Sequence, residues 1–142
     1  MSTNTQTNRI ISMRDDAFSR LRDHDSNKIE IKYRIDSVED NYSEWCYRKI
    51  NGHITVPWYL NLRYPSMDTR IETDWDDCNT AVYQYDTEID FEMLIPTSVA
   101  NGSMEGRILQ YGHGLFGDYH EIEVSYLQQQ SNQYGYVIGG VY

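Results

Sequence analysis

The sequence predicts an α+β chain: one helix near the N-terminus, an antiparallel β-rich front section, and a closing strand–turn–helix–strand unit. Three observations carry this expectation. Residues 28–36 alternate between apolar and charged side chains. Glycine-rich residues 112–117 separate a short apolar strand from a helix-capping pattern. A continuous apolar run, Tyr136-Val137-Ile138-Gly139-Gly140-Val141, follows that helix. Two strands joined through a helix form a βαβ unit, and their pairing is then parallel.

The 142 residues suit one domain or one piece of a larger domain. Lys and Arg number 12 against 22 Asp and Glu, a net charge of −10. Nucleic-acid binding needs clustered cations, so this balance argues against it, and against an anionic membrane surface. No apolar run approaches the roughly 18–20 residues that span a bilayer. Aromatic residues are 13% of the chain, which disordered compositions lack.

Residues 1–12 are polar and read as a disordered lead-in, without the apolar stretch of a signal peptide. The compartment is left open. From Ser12 the period becomes helical: Met13, Ala17 and Leu21 share a face, with Asp15 and Asp16 in the first turn. Ser12 suits the cap, and His24-Asp25-Ser26-Asn27 ends the helix near Asp23. In residues 28–36, Ile29, Ile31, Tyr33 and Ile35 form one face of a strand whose other face is charged and sees water. Residues 45–50 read as a second strand, Asn51-Gly52 as a hairpin turn, and residues 53–56 as the returning strand that Pro57 ends. Residues 61–80 read as a long acidic loop, 81–95 as a strand closed by Pro96, and 98–106 as a second loop. Residues 107–111 form a strand. Asp118 and Glu121 have capping-box spacing for a helix that ends at Gly135.

The motif that points to chemistry is Gly112-His113-Gly114-Leu115-Phe116-Gly117. Glycines between a strand and a helix let the backbone approach a ligand, and the helix start adds free N–H groups. Together these stabilise an oxyanion. A purely structural βα turn is the competing reading. The pattern matches neither the P-loop nor the dinucleotide fingerprint.

Tyr111 to Gly117 resembles the His-Gly oxyanion turn of lipases and esterases with the α/β-hydrolase fold. Residues 13–18, residues 50–60 and residues 91–117 with Ile95-Pro96 inside them occur in the order seen in a group of large bacterial α/β-hydrolase-like proteins. The resemblance implies an α/β fold, of which residues 13–142 hold the β-rich front section and the first parallel βαβ unit of the catalytic sheet. It implies that Leu115 gives a backbone N–H to the oxyanion, that His113 and Gly114 shape the turn, and that Gly117 lets the helix start close by. The substrate implied for the parent protein is a small ester. The family's Gly-x-Ser-x-Gly elbow occurs nowhere in the chain, and neither do the acid and histidine that follow it. The chain is therefore expected to be an inactive piece of such a hydrolase. The alternative is a small acidic β-rich binding domain whose glycine turn is structural.

Other groups are weaker candidates. His24, His53, His113 and His120, with Ser98, Ser103, Ser125 and Ser131, supply triad residue types but no elbow context. Asp74, Asp76, Asp77 and Asn79 offer oxygens for Ca²⁺, although their spacing is not that of an EF-hand and a solvated charge run is the better reading. Cys46 and Cys78 form one bridge or remain two thiols, and no zinc spacing accompanies them. Trp45, Trp58 and Trp75 read as packing residues rather than a sugar platform. No cofactor signature is present. If the parent sheet continues, residues 136–141 leave an open apolar edge through which the chain would self-associate.

Overall fold

The structure, a computed structural model, describes residues 3–23, 26–63, 66–114 and 117–142. It is α+β, in the order α1 (Thr3–Arg20), β1 (Tyr33–Asp40), β2 (Cys46–Trp58), β3 (Tyr85–Pro96), α2 (Thr97–Ala100), β4 (Arg107–Tyr111), a 3₁₀ segment (Tyr119–Glu123), α3 (Ser125–Tyr134) and β5 (Tyr136–Val141). The chain divides into two compact units, Met1–Lys32 with Thr55–Glu88, and Tyr33–Ile54 with Ile89–Tyr142. No described helix is long and apolar enough to cross a membrane.

In the first unit α1 begins at Thr3, so described residues 3–12 are helical rather than a disordered lead-in. The reason is polar docking. Arg9, Ser12 and Asp16 recur at helical spacing on the sheltered side, and each is tied down. The Arg9 Nε donates to the Cys78 carbonyl at 2.5 Å, and the Ser12 hydroxyl accepts the Ala81 N–H at 3.1 Å. The Asp16 carboxylate accepts the buried Tyr59 hydroxyl at 2.7 Å and pairs with Arg20 at 2.7 Å. The Arg20 guanidinium in turn lies 3.8 Å from the centre of the Tyr83 ring.

The second unit holds a mixed, mostly antiparallel sheet of order β1-β2-β3-β5-β4. Cys46, Leu94, Ile122 and Ile138 form its buried core, with Tyr42, Tyr111, Leu127 and Tyr136 around them. Strand β1 runs from Tyr33 to Asp40, and every residue in it is exposed. The apolar face expected to be buried therefore meets water at Tyr33 and Ile35. A strand at the sheet edge lies beyond the reach of this core.

Asn51-Gly52 is not a turn. Strand β2 passes straight through it, and the β1–β2 reversal falls at Asn41, which has φ 58°. A bulge explains the glycine. Ile35 pairs with Gly52 and Ser37 with Asn51, leaving Asp36 extra in β1. A Cβ at Gly52 would lie 2.2 Å from the Arg34 carbonyl oxygen and 2.8 Å from the Phe91 ring.

The closing unit has the expected parallel pairing of β4 with β5, from Arg107 opposite Tyr136 to Tyr111 opposite Gly140. Strand β5 also pairs antiparallel with β3, from Phe91 opposite Val141 to Leu94 opposite Ile138. It therefore lies inside the sheet, and the open apolar edge expected at residues 136–141 is paired on both sides. The described edge strands are β1 and β4. The expected single helix after Asp118 is broken. Val124 is extended, at φ −65° and ψ 137°, between the 3₁₀ segment and α3. The buried Gln128 amide donates to the Glu123 carbonyl at 2.5 Å, satisfying an acceptor at the break. Helix α3 ends as expected, at Gly135 in the left-handed region with φ 71°.

Gly52→Ala is expected to cost roughly 1–3 kcal/mol by overpacking. Gly112→Ala, whose Cβ meets nothing within 4 Å, should leave stability almost unchanged. Urea midpoints of the two variants check this.

Burial acts to raise the Asp16 pKa, but hydrogen bonds from Arg20 and Tyr59 outweigh it and hold the carboxyl below its ordinary value. Stability from a carboxyl lowered on folding is full above the unfolded pKa, about 3.9, and is lost as pH falls through the folded one. Tyr59→Phe should therefore cost about 1 kcal/mol at neutral pH, after allowance for the partial exposure of Asp16. That cost should shrink as acid protonates Asp16. Urea unfolding at a series of pH values tests the trend.

Candidate functional site

The glycine-rich turn leaves the carboxyl end of β4. Within it, His113 is exposed and its Nδ1 lies 3.0 Å from the Gly114 carbonyl oxygen. That oxygen accepts the Gly117 N–H at 3.0 Å. Leu115, to which the oxyanion N–H was assigned, lies outside the described residues. Gly117 has a close neighbour, because a Cβ there would fall 2.0 Å from a Glu121 carboxylate oxygen. The other Glu121 oxygen accepts the Tyr111 hydroxyl at 2.9 Å. Asp118 caps the 3₁₀ segment by accepting the His120 N–H at 2.8 Å.

Beyond the turn, the 3₁₀ segment lies against β5. A Cβ at Gly140 would lie 2.8 Å from the Tyr119 carbonyl oxygen, so glycine is what permits this approach. Gly140 pairs with Glu92 of β3 on one side and with Tyr111 of β4 on the other. One row of the sheet therefore runs Glu92, Gly140, Tyr111, at the carboxyl end of the parallel pair. The 3₁₀ segment brings His120 and Glu123 to that row.

The result is a cluster of charge. Glu92 has no exposed surface, and its Oε2 lies 3.0 Å from the Lys49 Nζ and 3.2 Å from the His120 Nδ1. Lys49, on β2, also contacts the Glu123 Oε1 at 2.6 Å. The other Glu123 oxygen accepts the Tyr42 hydroxyl. Burial pushes the Glu92 pKa up, and the neighbouring Glu123 adds to this against Lys49 and His120. Burial also acts to raise Glu123, but hydrogen bonds from Lys49 and Tyr42 outweigh it and hold that carboxyl below its ordinary value. For Lys49 the two carboxylates overcome burial and hold the ammonium above its ordinary range. Burial and the Glu123 hydrogen bond raise Tyr42 to about 12, so its hydroxyl stays a donor. Two carboxyls within reach of one ammonium are thus driven in opposite directions.

A shallow cleft of about 260 Å³ opens beside the cluster, lined by Lys49, His53, Asp90, Glu92, Tyr119 and His120 among others. His53 sits between two carboxylates, with Nδ1 2.5 Å from Asp36 and Nε2 2.8 Å from Asp90. Asp36 is the extra residue of the β1 bulge. The bulge thus places Asp36 against a histidine in the cleft wall.

Comparison with protein-family models, curated proteins and solved structures finds no match. The site therefore rests on its own geometry.

The structure uses the other candidate residues differently. Ser98 donates to the Asn132 carbonyl at 2.6 Å, Ser131 to the Tyr136 carbonyl, and Ser103 to the Asn101 side chain. Ser125 opens α3 and is exposed, and His24 lies outside the described residues. Asp74 spends one oxygen on the N–H groups of Asp76 and Asp77. Asp77 accepts from Asn79 and Thr80. These are loop-closing bonds of the acidic segment. Cys46 and Cys78 are both free, and burial raises the Cys46 thiol to about 11. Trp58 stacks with Tyr85 at 6.5 Å, whereas Trp75 is 97% exposed and packs no core.

Sequence reasoning missed Lys49, Glu92 and Glu123. The available signal was Glu92 inside the apolar run Phe91-Glu92-Met93-Leu94-Ile95. The buried face of β3 is the one carrying Glu92, Leu94 and Pro96.

Lys49→Met removes the ammonium and leaves the buried carboxylate uncompensated, which should cost about 3–5 kcal/mol. Adding Glu92→Gln should recover part of that loss, with a coupling of about 1 kcal/mol or more. A double-mutant cycle in urea measures it, and simple additivity would contradict the assigned pairing.

Proposed function

We propose that this chain supplies the oxyanion-binding part of a serine-hydrolase-type acyl-transfer site acting on a small ester. One observation carries the reading. Strands β4 and β5 are parallel, and the Gly112–Gly117 segment leaves the carboxyl end of β4 for a capped 3₁₀ segment and helix. In sheets with parallel strands, ligands bind outside the carboxyl ends. In this reading Leu115, which lies outside the described residues, is assigned the donation of an N–H to the oxyanion, His113 and Gly114 shape the turn, and Gly117 admits Glu121 against the backbone. The nucleophile is a serine in a Gly-x-Ser-x-Gly elbow, which the 142 residues do not contain. The chain by itself performs no acyl transfer.

A second reading has support of its own. All eight residues of β1 are exposed at a sheet edge, as suits an acidic β-rich module that binds a partner through that strand.

Purified chain treated with a fluorophosphonate should carry no adduct, and stoichiometric labelling of any serine contradicts the proposed division of labour. The coding DNA downstream of the Tyr142 codon should encode Gly-x-Ser-x-Gly within the next element. A stop codon there, with no elbow, favours the binding module.

A further inference from the structure

We propose that Glu92, His120 and Glu123 bind one divalent metal ion of the zinc type. The inference is independent of the hydrolase reading. The three residues place one ligand atom each within 4.8 Å of one another. The His120 Nδ1 lies 3.2 Å from the Glu92 Oε2 and 3.5 Å from the Glu123 Oε1. A tetrahedral ion with bonds of about 2.0–2.1 Å separates its ligand atoms by about 3.3–3.4 Å. These two edges lie within about 0.1 Å of that range.

A separate observation points to a missing ligand. Glu92 is wholly buried, and its Oε1 has no hydrogen-bond partner. An unsatisfied buried carboxylate oxygen is costly. Both oxygens of a carboxylate can bind one cation, so an ion at Oε2 is within reach of Oε1. Lys49 Nζ already places positive charge against Glu92 Oε2 and Glu123 Oε1. Its ammonium occupies the position of a competitor for the ion, and its flexible stem allows withdrawal toward the cleft that it lines. The Tyr42 hydroxyl on the far Glu123 oxygen orients that ligand, as outer hydrogen bonds do at metal centres. Two carboxylates and an imidazole, with no thiolate, suit Zn²⁺, Co²⁺ or Mn²⁺. The His120 side chain is 51% exposed, so water has access to complete the coordination.

The test is calorimetric titration of the full chain with ZnCl₂, paired with the visible spectrum of the Co²⁺ form. Saturable binding of one ion is expected, with the absorption of tetrahedral Co²⁺. His120→Ala, at a half-exposed position that should leave folding intact, should weaken binding at least about tenfold. Lys49→Met should tighten it about tenfold by removing the competing charge. If that variant is too unstable to titrate, Lys49→Gln serves in its place. Absence of saturable binding, or wild-type affinity in His120→Ala, overturns the proposal. So does weaker binding once the lysine charge is removed.

Discussion

Glu92 is a carboxylate on a sheet face with no access to water, and the elements of its unit are arranged around it. An isolated buried charge costs several kcal/mol even after relaxation. Here the Lys49 ammonium from β2 offsets that cost. The same ammonium holds Glu123, so one cation ties the 3₁₀ segment to two strands. The local geometry follows from this tie. Gly140 lacks a side chain where Tyr119 crosses. The helix breaks at Val124, leaving Glu123 on the Lys49 side while α3 continues beyond it. Gln128 answers the Glu123 carbonyl.

The first unit solves its packing in related chemistry. Its helix is polar, and the groups that seat it are an arginine, a serine and an aspartate. Tyr59 contributes a buried ring and a hydroxyl that Asp16 accepts, and its ring meets Tyr83 edge-on at 6.2 Å. Tyrosine suits this use because one side chain supplies both apolar area and a hydrogen bond. A chain with 13 tyrosines and only 3 phenylalanines can build its contacts this way.

These choices explain what the sequence made legible. Local backbone rules worked where the backbone itself imposes the requirement. Asp118 caps a turn, Gly135 adopts the left-handed end of α3, and the apolar residues 136–141 form an interior strand. Apolar periodicity misled where polar groups do the packing. The start of α1 lacks an apolar face, so residues 3–12 read as part of a disordered lead-in. Asn51-Gly52 carries a turn signal, but its glycine answers a long-range contact with Arg34 and Phe91 that no local window contains. Of the charge cluster itself, only His120 was a candidate on sequence grounds. Lys49, Glu92 and Glu123 come from three separate elements, brought together by the adjacency of β2 and β3, the pairing of β3 with β5 and the crossing at Gly140. Trp75 shows the converse limit: a large aromatic side chain in a loop has no obligation to be buried.

The glycine turn and the charge cluster occupy the same end of β4 and β5, and their electrostatics pull in opposite directions. Asp36, Asp90, Glu92 and Glu123 gather there against Lys49 and Arg34. A field of that sign attracts cations and opposes an anion at the turn. Backbone N–H groups at close range can still stabilise an oxyanion, because their dipoles act at contact distance while the carboxylates act from further away. A cation held by Glu92 and Glu123 would remove most of the opposition. The two proposals are therefore physically compatible: charge gathered at the cluster sets the field in which the turn would work, and neutralising it is what would favour an anionic centre beside the strand ends.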